Sequence, residues 1–471
     1  MIYRGLRRLP RFFSTTSILR SEPVREKAKR GLLRVVGVSA LGFGLWWYYW
    51  PHHTFPSSVA AILRNGLWSE TSKYGKNYKR GLKFYLEALE ECKRVGVDTL
   101  SDEYTGIEIK VAEMYENLDD LDSACDVYDE IMQRYQSFLL ANDSYDMRRV
   151  TNYIKRDLRV MIKYLKHRDD KYVGKNILLH HLGTVQKVIF TRYPEIADFL
   201  SEQQRILDTV VRKTPDGQIP FGSLHLFENS KQFESNKEHI LSGVSLDEVV
   251  APFQDELFTA LDLFTEYCLK SNDIAAALRN QLMTVQFMVL AKVKKSQILF
   301  SQANLGSILY LQAEKIEGVL YKLRKENAEK QHADVNDDVY TLENEPANTV
   351  INEDNSYYIK LLEYNHNRYV NLSLQCFEEV VNNAERTDNF EEVIDPLTLK
   401  AAALSVYGIG VWNIHEGNLK KARRLLKEAV KFSKETSFES LQKEADKELI
   451  KVRKMIKTKK VAPPLKEQEI S

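Results

Sequence analysis

A chain of 471 residues with 44% apolar and 28% charged residues can bury a sizeable core, which excludes wholesale disorder and a multi-span membrane protein. Only 20 Gly and 12 Pro are present, which favours helices over a turn-rich β architecture. The 67 Lys+Arg nearly balance the 66 Asp+Glu, but residues 1–34 hold ten basic and two acidic residues, so the body is mildly acidic and lacks the basic face of a nucleic-acid binder.

Residues 1–20, MIYRGLRRLPRFFSTTSILR, carry Arg4, Arg7, Arg8, Arg11 and Arg20, four hydroxyl residues and no acid. That is the composition of a mitochondrial presequence, with an untargeted basic tail as the alternative. Arg11-Phe12-Phe13-Ser14 resembles a matrix processing pattern, and a second trimming after Arg20 fits equally well. The basic segment 21–34 is expected in the matrix. Val35 to Trp50 is free of charge, and counting from Gly31 gives twenty residues, enough as a helix to cross about 30 Å of hydrocarbon. Trp46, Trp47, Tyr48, Tyr49 and Trp50 form an aromatic belt, and Pro51 stops the helix. A buried soluble helix is the competing reading of 35–50. Five Lys+Arg lie in 21–34 and only Arg64 in 51–70, an asymmetry that places the N-terminus in the matrix and the body in the intermembrane space. Gly37, Ala40 and Gly44 share one face of the span, where a second membrane helix could approach closely.

From 57 to 460 the apolar pattern has a helical period. In 106–135, Val111, Ala112 and Tyr115 lie on one face of a helix, Asp119-Asp120 makes a turn, and Ala124, Tyr128 and Ile131 lie on one face of the next. This resembles the tetratricopeptide (TPR) helix–turn–helix unit, with Glu108 standing where that motif has Trp. A second copy spans 405–432, with Gly410, Gly417, Ala422, Leu426 and Ala429 matching and Asn413 departing. A half-copy at 78–91 has Gly81, Tyr85 and Ala88. A weak copy at 261–285 keeps Phe264 and Ala277, while Gln281 and Thr284 do not fit. Helical stretches at 148–165 and 297–323 fill the gaps, and 440–460 reads as an amphipathic cap. A helical bundle with chance matches is the alternative to such a stack. Residues 213–230 read as a loop, residues 331–356, with seven acids and no Lys or Arg, as a disordered acidic loop, and 461–471 as a flexible tail.

Catalytic and cofactor motifs are not found: there is no phosphate-binding glycine loop, no HExxH, and no hydrolase nucleophile motif. His52-His53 and His180-His181 are adjacent pairs, and neighbours on a helix point about 100° apart, so neither makes a good chelate. Cys92, Cys125, Cys268 and Cys376 have no CxxC spacing and read as buried free thiols. Neither a cofactor nor a metal is expected, and the chain is read as no enzyme.

The combined layout is all-α: one N-terminal transmembrane helix followed by a TPR-like solenoid of helical hairpins. It resembles the TPR-containing substrate adaptor of the fungal mitochondrial inner-membrane i-AAA protease. The resemblance implies a non-catalytic protein, single-pass in the inner membrane, that binds the protease complex and a co-adaptor and delivers unfolded or membrane-protein clients. A respiratory-chain assembly factor and an outer-membrane TPR receptor or tether are the alternatives. In a TPR stack the first helix of each pair lines the concave face, which makes Ile109, Glu113, Glu116 and Asn117, with Tyr407, Val411, Ile414 and His415, the candidate client groove. Solvated surface is the other reading of these positions.

Overall fold

The computed structural model describes residues 55–71, 76–141, 146–168, 170–198, 201, 249–337, 349–388 and 395–461. The expected presequence, the basic segment 21–34, the span 35–50 with Gly37, Ala40 and Gly44, the loop 213–230 and the tail beyond 461 lie outside the described residues. Among the described residues all regular structure is helical, as the all-α reading expects.

In chain order the helices are α1 (Ser57–Thr71), α2 (Tyr78–Val95), α3 (Asp102–Asn117), α4 (Leu121–Ala141), α5 (Met147–His167), α6 (Lys171–Arg192), α7 (Gln254–Lys270), α8 (Ile274–Leu290), α9 (Lys295–Asp337), α10 (Thr349–Asp388), α11 (Pro396–His415), α12 (Leu419–Glu435) and α13 (Glu439–Val461). Their starts follow from single side chains. Asn77, Asp146, Asp170, Asp273 and Asp395 each accept a hydrogen bond from a first-turn amide, satisfying a donor that the helix leaves orphaned. Gly96 ends α2 in the left-handed conformation, with φ 77°.

The chain divides into two compact units, residues 1–107 and 108–471. In the first, α1 packs on α2. The Tyr85 ring lies so close to Gly66 that an added Cβ would sit 3.0 Å from it, and the Tyr85 hydroxyl donates to Glu70.

In the second unit packing is sequential. α4 contacts α5 and α6, and α5 contacts α6 and α7. α7 also rests on α6 and α8, and α8 rests on α9. α9 contacts α10 and α11, α10 contacts α11, and α11 contacts α12 and α13. The predicted hairpin of α3 and α4 forms, with Val111, Ala112, Ala124, Tyr128 and Ile131 buried and Tyr115 half-buried. The turn falls at Asp119, whose φ is 62°. In the second predicted hairpin Leu426 packs on Gly410, 3.2 Å from where a Cβ would stand. α13 covers this pair: Leu449 and Val452 join Leu419, Ala422 and Leu426 in one cluster, and Ala445 joins Val406, Ala429 and Val430 in another.

The acidic loop expected over 331–356 is met by helix at both of its ends. α9 runs to Asp337 and α10 begins at Thr349, leaving 338–348 outside the described residues. Once a helix is nucleated each further residue adds a hydrogen bond, so acidic and Asn-rich flanks extend it rather than end it. Phe377 of α10 fills the space between α9 and α11. Its ring would lie 2.8 Å from a Cβ at Gly306 and 2.4 Å from one at Gly408, so both neighbours must be glycine for the helices to come this close.

α11 is the one described helix long and apolar enough to cross a membrane by length and composition. Its apolar surface has another explanation here, since Ala401, Ala403 and Val406 are buried against the surrounding helices. All four cysteines are buried and free.

Candidate functional site

On α3, Glu113 accepts from Lys110 at 2.8 Å and from Lys163 of α5 at 3.0 Å. Partial burial pulls its carboxyl upward, but the bonds from Lys110 and Lys163 prevail and hold it below the usual range. Glu116 accepts from the Tyr128 hydroxyl at 2.5 Å and pairs with His167 Nε2 at 3.0 Å. Burial and that carboxylate push the Tyr128 phenol well above its ordinary value. Asn117 donates to the Glu113 carbonyl at 2.6 Å and is exposed, and Ile109 is half-buried. The two carboxylates thus brace α3 against α4 and α5. Glu108, the departure from the TPR pattern, is buried and forms a two-pronged pair with Arg134 of α4, one arm at 3.0 Å. An ion pair occupies the place of an aromatic contact.

On α11, Tyr407 and Ile414 pack against the cluster shared by α12 and α13, and burial pushes the Tyr407 phenol up to about 12. Val411 is half-buried and His415 is exposed, its ring centroid 6.0 Å from that of Tyr310 on α9 in an edge-on arrangement. The two predicted sets therefore sit on α3 and α11, and in each several members also hold neighbouring helices.

Two features were not anticipated. First, α4, α5 and α6 enclose a polar knot. Asp157, fully buried, takes hydrogen bonds at Oδ2 from Gln136 Nε2 and from His181 Nδ1, both at 2.7 Å, and Thr184 donates to Gln136 Oε1 at 2.6 Å. A similar network joins α7, α8 and α9. Asn280 donates to Thr265 Oγ1 at 2.9 Å, and Gln281 donates to Ser301 Oγ at 2.8 Å. The misfit of Gln281 and Thr284 to the repeat pattern was the signal for that network, since a polar side chain at a core position implies a partner.

Second, the C-terminal half of α6 is flanked by two clefts. One, about 380 Å³ with its open mouth, is walled by Val185, Ile189 and Phe190 of α6, Leu257 and Leu261 of α7, and Met283 and Phe287 of α8. The other, about 540 Å³, lies between Val188 and Arg192 of α6, Phe138 of α4, and Met147 and Val150 of α5. Much of each volume is open to solvent, so both are shallow surface clefts rather than enclosed pockets. No group of three or more metal-ligating side chains occurs among the described residues.

Apart from Phe138, the named walls of the clefts fall in the stretch that matches a family model. Residues 141–293 match the MGR3 middle domain. The chain is 34% identical over 432 residues to the Saccharomyces cerevisiae "Protein MRG3-like", spanning 91% of this chain and 89% of that protein. It is 35% identical over 443 residues to the yeast mitochondrial inner membrane i-AAA protease supercomplex subunit MGR3, spanning 91% of this chain and 84% of that one. The chain therefore belongs to the MGR3 family, in keeping with the resemblance drawn from its layout. A solved circular tandem repeat protein aligns over 84% of this chain and 95% of its own at 12% identity, with a TM-score of 0.18, too low to bear on the fold.

Proposed function

We propose that the protein is a non-catalytic subunit of the mitochondrial inner-membrane i-AAA protease supercomplex that captures unfolded or membrane-protein clients and passes them to the protease. The observation that carries this reading is the 35% identity over 91% of the chain to a protein named as such a subunit. In this reading residues 1–20 are a presequence, 35–50 a single span, and the body lies in the intermembrane space as a TPR-like stack. The sequential packing, with several helices touching the next and the next but one, supports such a stack.

Clients would bind weakly, because anchoring adaptor and protease in one bilayer raises their effective concentration. The groove face is formed by Ile109, Glu113, Glu116, Asn117, Tyr407, Val411, Ile414 and His415. Of these, Ile109, Asn117, Val411 and His415 have surface left for a client, the others being partly spent on helix contacts. The apolar cleft beside α6 adds a shallow apolar surface to that face. A co-adaptor in the membrane would complete the complex, with Gly37, Ala40 and Gly44 as the packing face of the span.

Affinity purification of the intact protein from gently solubilised inner membranes is the test. An ATP-dependent protease should co-purify, and a photo-crosslinker at Phe190 should trap newly imported proteins. Recovery of respiratory-complex subunits without the protease would replace this reading with the assembly factor.

A further inference from the structure

The last turn of α1 and the first turn of α2 meet at one end of their hairpin, where the Asn77 amide donates to the Ser69 carbonyl at 2.9 Å. At this end Trp68 is 66% exposed and Leu67 is 48% exposed. Lys76, Lys79 and Arg80 are all exposed beside them, and Lys83 follows one turn on. Glu70, the acid nearest in sequence, accepts the hydroxyl of Tyr85. A large indole and an aliphatic side chain among cations match the layered chemistry of a bilayer surface. The ring settles at headgroup depth while the cations meet anionic lipid. An acidic protein would satisfy the cations alone and leave Trp68 and Leu67 unexplained.

We propose that this end of the α1–α2 hairpin is a docking surface for an anionic lipid bilayer. Its location rests on the membrane span proposed above. Six residues separate Trp50 from Ser57. Extended, they reach about 20 Å, close to the roughly 22 Å length of the 15-residue α1. The tether is therefore long enough for the far end of α1 to touch the membrane that holds the chain.

The test uses the full chain with Thr71→Cys, an exposed position, carrying an environment-sensitive dye; the native thiols are buried and stay unlabelled. The protein is reconstituted into phosphatidylcholine vesicles, with or without about 30% phosphatidylglycerol, that contain a spin-labelled quencher lipid. Dye emission should be lost in the anionic vesicles and restored by about 0.5 M salt. It should also be restored in the Lys76→Glu, Lys79→Glu, Arg80→Glu variant, each lost cation weakening contact roughly fivefold. Helical content by circular dichroism should match the parent, which separates lost docking from lost folding. Flotation with neutral vesicles reports the span independently. Failure to float would refute the topology, while quenching on added anionic vesicles would still uphold the surface. Absence of quenching in anionic vesicles, or equal quenching in the charge-reversed variant, overturns the proposal. A dye shift with poly-glutamate and none with vesicles would assign the surface to an acidic protein instead.

Discussion

Asp157 illustrates how much one side chain can decide. It sits on the same face of α5 as Ile154, Leu158 and Met161, all fully buried, and is itself without exposure. Two donors converge on its Oδ2, and its Oδ1 has no hydrogen-bond partner among the described residues. Removing the acceptor strands both donors in a low-dielectric interior, and breaking a buried pair costs about 3–5 kcal/mol. Asp157→Ala should lower the denaturant midpoint accordingly, whereas Asp157→Asn, which keeps an acceptor oxygen, should cost less. A midpoint unchanged in Asp157→Ala would mean the knot contributes nothing net. The anomaly was legible in sequence as a carboxylate among apolar positions. Its partners were not, because Gln136 and His181 lie 21 and 24 residues away, separations that no helical period relates to it.

Individual helices were read best in the hairpins at 106–135 and 405–432 and worst at the limits of α9 and α10. Asp273 shows what a cap does beyond stopping a helix. It accepts from Lys175 of α6 at 2.6 Å and from the Ala276 amide at 3.1 Å, and these two bonds, Lys175 first, hold its carboxyl below the usual range. A depressed folded value adds stability above the unfolded carboxylate range, about pH 4, and that gain disappears as pH falls through the folded value. The side chain is 40% exposed, so solvent screening keeps the charged contribution below about 1 kcal/mol. Asp273→Asn keeps the cap and loses the charge. Its deficit in thermal stability should be present at pH 7 and shrink as the pH falls below about 4, and a deficit that does not change with pH would contradict the assignment. By contrast, the limits of α9 and α10 were misjudged because acidic composition suggests solvation, which an exposed helix end tolerates equally well.

For the molecule as a whole, the two clear hairpins were legible because small residues at Ala112, Ala124, Gly410 and Ala422 announce close contacts. The clefts beside α6 were not, since each arises from three helices, with wall residues more than 100 positions apart in the first. The sequential stacking predicts how damage spreads. Truncation after Glu435 removes α13 and uncovers Ala422, Leu426 and Ala429. Each lost buried Leu or Val contact is worth about 1.5–3 kcal/mol. Hydrogen exchange should accelerate in α11 and α12, while α5 to α8 keep their protection, because each repeat depends mainly on its neighbours. Uniform acceleration throughout would point to a single bundle instead.

The ring of Phe377 carries a consequence for how the chain reaches this arrangement. It touches α9 at Gly306 and α11 at Gly408, positions 102 residues apart. The ring is enclosed only when both glycines are in place, so the registers of the two flanking helices are coupled through it. Docking of α9, α10 and α11 is therefore expected to be a joint event, and hydrogen exchange should show these three helices opening as one unit.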